Sequence, residues 1–260
     1  MSEQLRVSLV QAASGLEPAD NRDLLVATAA DLPAGTDLAV WPEAFARDFG
    51  TAGSDVSPYA EPVDGPFATA AAGVAKESGA TVVAGMFETS EDPTRPWNTL
   101  VAAGAGGERS SYRKIHLYDS FGYRESDRLS AGPTQPVTIE VGGFTVGLMT
   151  CYDLRFPEHA RLLVDAGAEV LALPAAWLAG DLKVDHWRTL LRARAIENTV
   201  FVVAAAQPAP RYTGHSMAVD PLGRVLAEAG PEAGRVDAVL DRAVLTAARE
   251  TNPSLANRRL

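Results

Sequence analysis

Short apolar runs alternate with helix-like segments along this chain, and that alternation limits the folds open to it. Val200–Ala206 has no polar residue at all. Such a strand needs cover on both faces, so the segments between strands must supply it. Strands are expected at Leu5–Gln11, Leu38–Trp41, Thr81–Phe87, Asn98–Ala103, Glu169–Leu173, Thr199–Ala206 and Val236–Leu240, with Glu108–Arg113 leading into Lys114. Helices are expected at Asn21–Ala30, Asp64–Ser78 (stopped by Gly79), Phe156–Ala166 and Asp185–Glu197. Val137–Val141 and Phe144–Met149 flank Gly142-Gly143 as a hairpin, and His215–Asp220 and Arg224–Ala227 flank a second turn. Leu117–Thr134 has no period and reads as a long loop, a type usually functional or mobile. Strand–helix alternation with hairpins implies an α/β fold with mixed sheets. With no linker or repeat in sight, residues 1–260 are expected to form a single domain.

Composition narrows the function. Lys plus Arg is 23 against 33 Asp plus Glu, a formal net charge of −10. Neither nucleic acid nor an anionic membrane is an expected partner of so acidic a chain. The start lacks the basic and apolar regions of a signal peptide, and no apolar run reaches membrane-spanning length, so a cytoplasmic location is expected. The lone cysteine, Cys151, excludes an intrachain disulfide and a multi-thiolate zinc site. Neither an H-x-x-x-H pair nor a phosphate-binding glycine loop is present, and Gly104–Gly107 reads as a turn, so no metal or organic cofactor is expected.

Three segments place chemistry directly after strands. Cys151 follows the second hairpin strand and precedes the Pro157 helix, where a nucleophile gains exposure and nearby N–H donors. Taken alone it reads equally as a buried small hydrophobe. Its flanks, Thr150 to Glu158, crowd three charged groups behind an apolar strand, which packing does not require. The histidines His116, His159, His186 and His215 are not paired with it by sequence, whereas a buried carboxylate can serve as its base. Glu43 in WPEAF follows a buried strand between aromatics and is a candidate for that role, or else a helix-start acid. Lys114 in YRKIHLYD ends a strand, as an oxyanion holder or as a solvated lysine.

Together these segments resemble the nitrilase, or carbon–nitrogen hydrolase, superfamily, which carries a Glu–Lys–Cys triad in this chain order. The opening RVSLVQA, LLRARAIENTVFVVAAAQ and GHSMAVDPLGRVL are similar to the family as well, so the resemblance covers nearly the whole chain. It implies a four-layer α-β-β-α sandwich, a homodimer or higher homo-oligomer, and a cysteine-dependent hydrolase working through a thioester. Catalytic roles pass to Glu43, Lys114 and Cys151, with the Tyr152 backbone N–H beside the oxyanion. Many members add a second glutamate between lysine and cysteine, and Glu125, eleven positions after Lys114, matches it.

CYDLRFPE looks like the omega-amidase and deaminated-glutathione-amidase branch, which implies a small carboxamide such as an ω-amido acid as substrate. An arginine matching Arg155 binds the substrate carboxylate in carbamoyl-amino-acid hydrolases of the family. Their preceding arginine is Leu154 here, which weighs against that substrate. Arg155 reads alternatively as an ion-pair partner of Glu158. Tyr118 and Trp177 are candidate pocket walls or core aromatics. An aliphatic nitrilase is the alternative within the same chemistry. A catalytically silent interaction module is the alternative outside it, against which three intact triad residues argue. Iodoacetamide labelling of Cys151 that vanishes in Glu43→Gln is the expected mark of an enzyme.

Overall fold

A computed structural model of the chain describes residues 3–120 and 122–259, so Phe121 of the expected loop lies outside the described residues. The first half runs β1 (Gln4–Gln11), α1 (Pro18–Ala29), β2 (Leu38–Val40), α2 (Pro66–Ser78), β3 (Thr81–Glu88), β4 (Trp97–Ala103) and β5 (Arg109–Arg113). A small ribbon follows, β6 (Asp119–Ser120) with β7 (Tyr123–Arg124). The second half runs β8 (Thr138–Val141), β9 (Phe144–Leu148), α3 (Pro157–Asp165), β10 (Val170–Ala175), α4 (Lys183–Asn198) and β11 (Phe201–Ala206). It ends with β12 (Met217–Val219), β13 (Val225–Glu228), β14 (Gly234–Asp241) and α5 (Arg242–Thr251).

Among the described residues the longer strands make two six-stranded sheets, ordered β14-β1-β2-β3-β4-β5 and β13-β12-β11-β10-β9-β8. Each has three parallel strands at its centre, β1–β3 in one and β9–β11 in the other, flanked by antiparallel neighbours. Strand alternation explains the stacking. In β11, Phe201, Val203 and Ala205 join Leu5, Val7, Leu9, Val83 and Phe144 in a core between the sheets. The intervening Val202, Ala204 and Ala206 face the other way, into a core with Trp187 and Leu191 of α4 and Leu163 of α3. In β3, Val83 turns to the inter-sheet core, while Val82, Ala84 and Met86 pack with Leu25 of α1 and Phe67 of α2. Three apolar layers therefore bind four structural ones, an α-β-β-α sandwich, at roughly 1.5–3 kcal/mol for each fully buried large side chain.

The β8–β9 hairpin forms as expected, with Gly142 and Gly143 at φ 57° and 81°, the left-handed pair such a two-residue turn requires. Other boundaries differ from the sequence reading for local reasons. α1 and α2 begin at Pro18 and Pro66, prolines that suit a first helical turn. α4 begins at Lys183, two residues before the expected start at Asp185, which lies in its first turn. Thr199 is left-handed (φ 45°) and ends α4 instead of opening β11. Phe156 is extended and precedes α3, and residues Cys151–Arg155 form a 3-10 turn before it. The expected long loop is not wholly irregular, since it holds the β6–β7 ribbon and a 3-10 turn at Glu125–Asp127. No helix among the described residues is long and apolar enough to cross a membrane.

Candidate active site

Glu43, Lys114, Cys151 and Ala176 follow the C-terminal ends of β2, β5, β9 and β10, and the sandwich brings those ends to one edge. Backbone geometry fixes each one. After β2 the chain turns sharply, with Ala44 at φ 52°. β3 holds that turn through the Gly85 N–H to Pro42 O (3.1 Å) and the Ala46 N–H to Gly85 O (2.9 Å). Only glycine permits this approach, because a Cβ at Gly85 would lie 2.4 Å from the Ala44 nitrogen. Lys114 is pinned by its N–H to Asn98 O and by the Gly132 N–H to its own carbonyl, both 2.8 Å. Cys151 leaves β9 at φ 46°, a costly conformation outside glycine that turns the chain into the 3-10 turn.

The four predicted catalytic side chains meet in one place, and all are buried (Glu43 1%, Lys114 1%, Glu125 2%, Cys151 7% exposed). Lys114 Nζ donates to Glu43 Oε1 at 2.8 Å and to Glu125 Oε2 at 2.9 Å. Asn98 Nδ2 donates to Glu43 Oε1 at 2.7 Å, and the Ala176 N–H to Glu43 Oε2 at 2.7 Å. The Tyr118 N–H donates to Glu125 Oε2 at 2.6 Å. Burial works against the Lys114 charge, but Glu125 and Glu43 outweigh it and hold the ammonium well above its ordinary range. Burial, aided by Glu43, raises the Glu125 carboxyl against the pull of Lys114. Burial and then the neighbouring Glu43 carboxylate push the Cys151 thiol well up, which favours the neutral thiol over the thiolate.

The cavity above the thiol measures about 140 Å³, and Tyr118, Tyr152, Arg155 and Trp177 all line it. Trp177 is both wall and core. It is 3% exposed, packs on Trp187 and donates its indole N–H to Lys183 O at 3.0 Å. Arg155 does not ion-pair with Glu158; its guanidinium lies 4.9 Å from the Trp177 ring centre and 3.4 Å from His186 Nδ1. Sequence reasoning missed Asn98, the Ala176 N–H and Lys183. The one signal for Asn98 was an amide in a mostly apolar strand.

Behind the thiol, His116, Asp153 and His159 gather potential metal-ligand atoms within 4.8 Å of one another. The Asp153 oxygens already accept from Tyr112 Oη (2.6 Å), the Thr150 N–H (2.8 Å), the His116 N–H (3.1 Å) and His116 Nδ1 (2.7 Å). The arrangement fits a carboxylate filled by protein donors better than one reserved for an ion.

The chain and its sandwich have known relatives. The carbon–nitrogen hydrolase family matches residues 6–250, and the chain belongs to it. It is 39% identical to hydrolase Rv0480c of Mycobacterium tuberculosis, over 97% of this chain and 95% of that one. It is 46% identical to the deaminated glutathione amidase of Escherichia coli O157:H7, over 64% of each. The structure of XC1258 from Xanthomonas campestris, a CN-hydrolase superfamily protein, matches with a TM-score of 0.89 at 30% identity, covering 100% of this chain and 98% of that one. The protein is a carbon–nitrogen hydrolase built on the nitrilase-superfamily sandwich.

Proposed function

We propose that the protein hydrolyses the terminal amide of a small carboxamide, such as an ω-amido acid, through a thioester on Cys151. The observation that carries this is the buried contact of one thiol, one ammonium and two carboxylates beneath a pocket. Glu43 takes the thiol proton as sulfur attacks the amide carbon. Lys114 Nζ and the Tyr152 N–H stabilise the oxygen that becomes negative. Glu43 returns the proton to nitrogen, the C–N bond breaks and ammonia leaves. A water then gives its proton to Glu43 and attacks the thioester, releasing the carboxylic acid as the proton returns to sulfur. Glu125 holds Lys114 in place by accepting from its Nζ at both carboxylate oxygens. Arg155 receives a carboxylate at the far end of the substrate, as a guanidinium fork suits. Assembly as a homodimer and a cytoplasmic location belong to the same reading, by likeness to the family.

Ammonia release from α-ketoglutaramate, succinamate, carbamoyl-amino acids and simple aliphatic nitriles tests it, with Cys151→Ala as control. Release from an ω-amido acid that disappears in Cys151→Ala is the expected result. Release from only a nitrile or a carbamoyl compound keeps the nucleophile and overturns the substrate. No release together with no trapped acyl-cysteine turns the reading to a silent interaction module.

A further inference from the structure

The proposed chemistry leaves one buried carboxylate near the pocket unused. Asp48 is 6% exposed and follows the turn that carries Glu43. Its oxygens accept from the Gly50 N–H at 2.8 Å and from Tyr212 Oη at 2.6 Å, and they pair with Arg211 Nη1 at 3.1 Å. Arg211 Nη2 also donates to the Gly50 carbonyl. Burial and then the Asp48 charge raise the Tyr212 hydroxyl well above its ordinary range, which keeps it a donor. Asp48 and Tyr212 lie 164 positions apart, one between β2 and α2 and the other between β11 and β12. Each segment has its own anchor. Phe49 meets the Phe87 ring edge-on at 5.2 Å and packs in a small cluster with Val56 and Leu129. The Ala179 N–H donates to Arg211 O at 3.0 Å and the Thr213 N–H to Trp177 O at 2.9 Å, which ties the second segment to the chain beside Trp177. Both segments line the cavity above Cys151, the first through Phe49, Gly50, Thr51 and Ala52, the second through Arg211 and Tyr212. Glu43, Lys114, Glu125 and Cys151 are buried at its floor, whereas Thr51, Ala52 and Arg211 are exposed, so the two segments form its rim.

We propose that the Asp48–Arg211–Tyr212 joint sets the width of the pocket mouth, and so the size of the acyl group that reaches Cys151, with Asp48 and Arg211 as positioning residues that determine specificity. This rests on the amidase reading of the pocket, and its first test does not require turnover. The Arg211 guanidinium is engaged by Asp48 and by the Gly50 carbonyl, which makes it a strut across the rim. Widening the mouth would part these groups and strand the buried oxygens of Asp48 and Tyr212, which is costly. The joint therefore holds the rim narrow without touching the reacting atoms.

The probes are two neutral alkylating agents for Cys151 in the intact protein, iodoacetamide and the bulkier iodoacetanilide. The ratio of their rates cancels effects on the thiol itself. Arg211→Met keeps an apolar stem and removes both contacts of the guanidinium. It is expected to raise the ratio of iodoacetanilide to iodoacetamide about fivefold, equivalent to ~1 kcal/mol, in keeping with a pair whose arginine side chain is 40% exposed. Tyr212→Phe keeps the ring, removes one hydrogen bond to Asp48 and is expected to move the ratio the same way. It decides the matter if Arg211→Met does not fold. An unchanged or lower ratio overturns the proposal. That includes a rise in both rates alike, because the joint would then govern access to the thiol without regard to size. Where small carboxamides are turned over, Arg211→Met should raise kcat/KM for hydrocinnamamide relative to butyramide by about the same fivefold. Absence of turnover with every amide would sink the amidase reading and leave the alkylation ratio to decide on the joint.

Discussion

At the scale of single residues, the site is a problem in placing protons. One buried ammonium lies between two carboxylates, and the thiol beside them is held in its neutral form. Glu43 pushes the thiol up, and Lys114 pulls it down. The proposed steps route every proton through Glu43, so Glu43→Gln should cut turnover by about 10²–10⁴-fold, the usual weight of general acid–base catalysis. Iodoacetamide labelling of Cys151 at neutral pH should fall with it, as expected from the sequence. Labelling at an unchanged rate would show that Glu43 is not the group that takes the thiol proton. Glu43, Lys114 and Cys151 stood out because each is a reactive group at or just beyond a strand end. Lys183 was not, because a lysine at a helix start looks like any solvated lysine until Trp177 and Arg155 are packed around it.

At the scale of elements, strand ends and the turns that leave them set the positions of these groups. The Glu43 turn depends on β3 through Gly85, whose missing side chain lets the two backbones touch. Gly85→Ala places a methyl against the Ala44 nitrogen, and overpacking of this kind costs about 1–3 kcal/mol. We expect a lower urea midpoint and, because the turn carries Glu43, a fall in kcat larger than any change in KM. A variant with normal stability and normal kcat would show that the turn can shift without consequence. The strands and hairpins were readable from local patterns, and so was the Gly142-Gly143 turn. The 3-10 turns at Cys151 and Glu125 were not, since neither has an apolar period and both are held by tertiary hydrogen bonds.

At the scale of the whole molecule, the site exists only where the two sheets meet. Lys114 extends from one sheet and Cys151 from the other, and Asp153 clamps them together. Its carboxylate accepts from Tyr112 and His116, two residues either side of Lys114, and from the Thr150 N–H before Cys151. Burial disfavours the Asp153 charge, but the hydrogen bonds from His116 and Tyr112 and the nearby His159 ring, 3.7 Å away, outweigh it and hold the carboxyl far below its ordinary 3.8. A depressed carboxyl stabilises the fold above its unfolded pKa and loses that stability as pH falls toward the folded value. Asp153→Asn should cost about 1–3 kcal/mol near neutral pH, the weight of a disrupted buried network. In urea titrations the gap from the unaltered protein should stay constant above about pH 5 and narrow below 3.8, the ordinary value. A gap independent of pH would mean that shape, not charge, is what Asp153 contributes.

By itself the sequence determined what is local. It set which segments become strands and helices, because side-chain alternation and turn residues act on neighbours. It also placed a carboxylate, an ammonium and a thiol at strand ends. Only the tertiary structure decided which strand ends share an edge, which charges meet, and which state each group holds. Sheet order is a choice among partners far apart in the chain, and a pKa is set by burial and by neighbours from other segments. Asn98, Asp153 and Lys183 acquire their meaning there, from contacts between residues 27 to 65 positions apart in the chain.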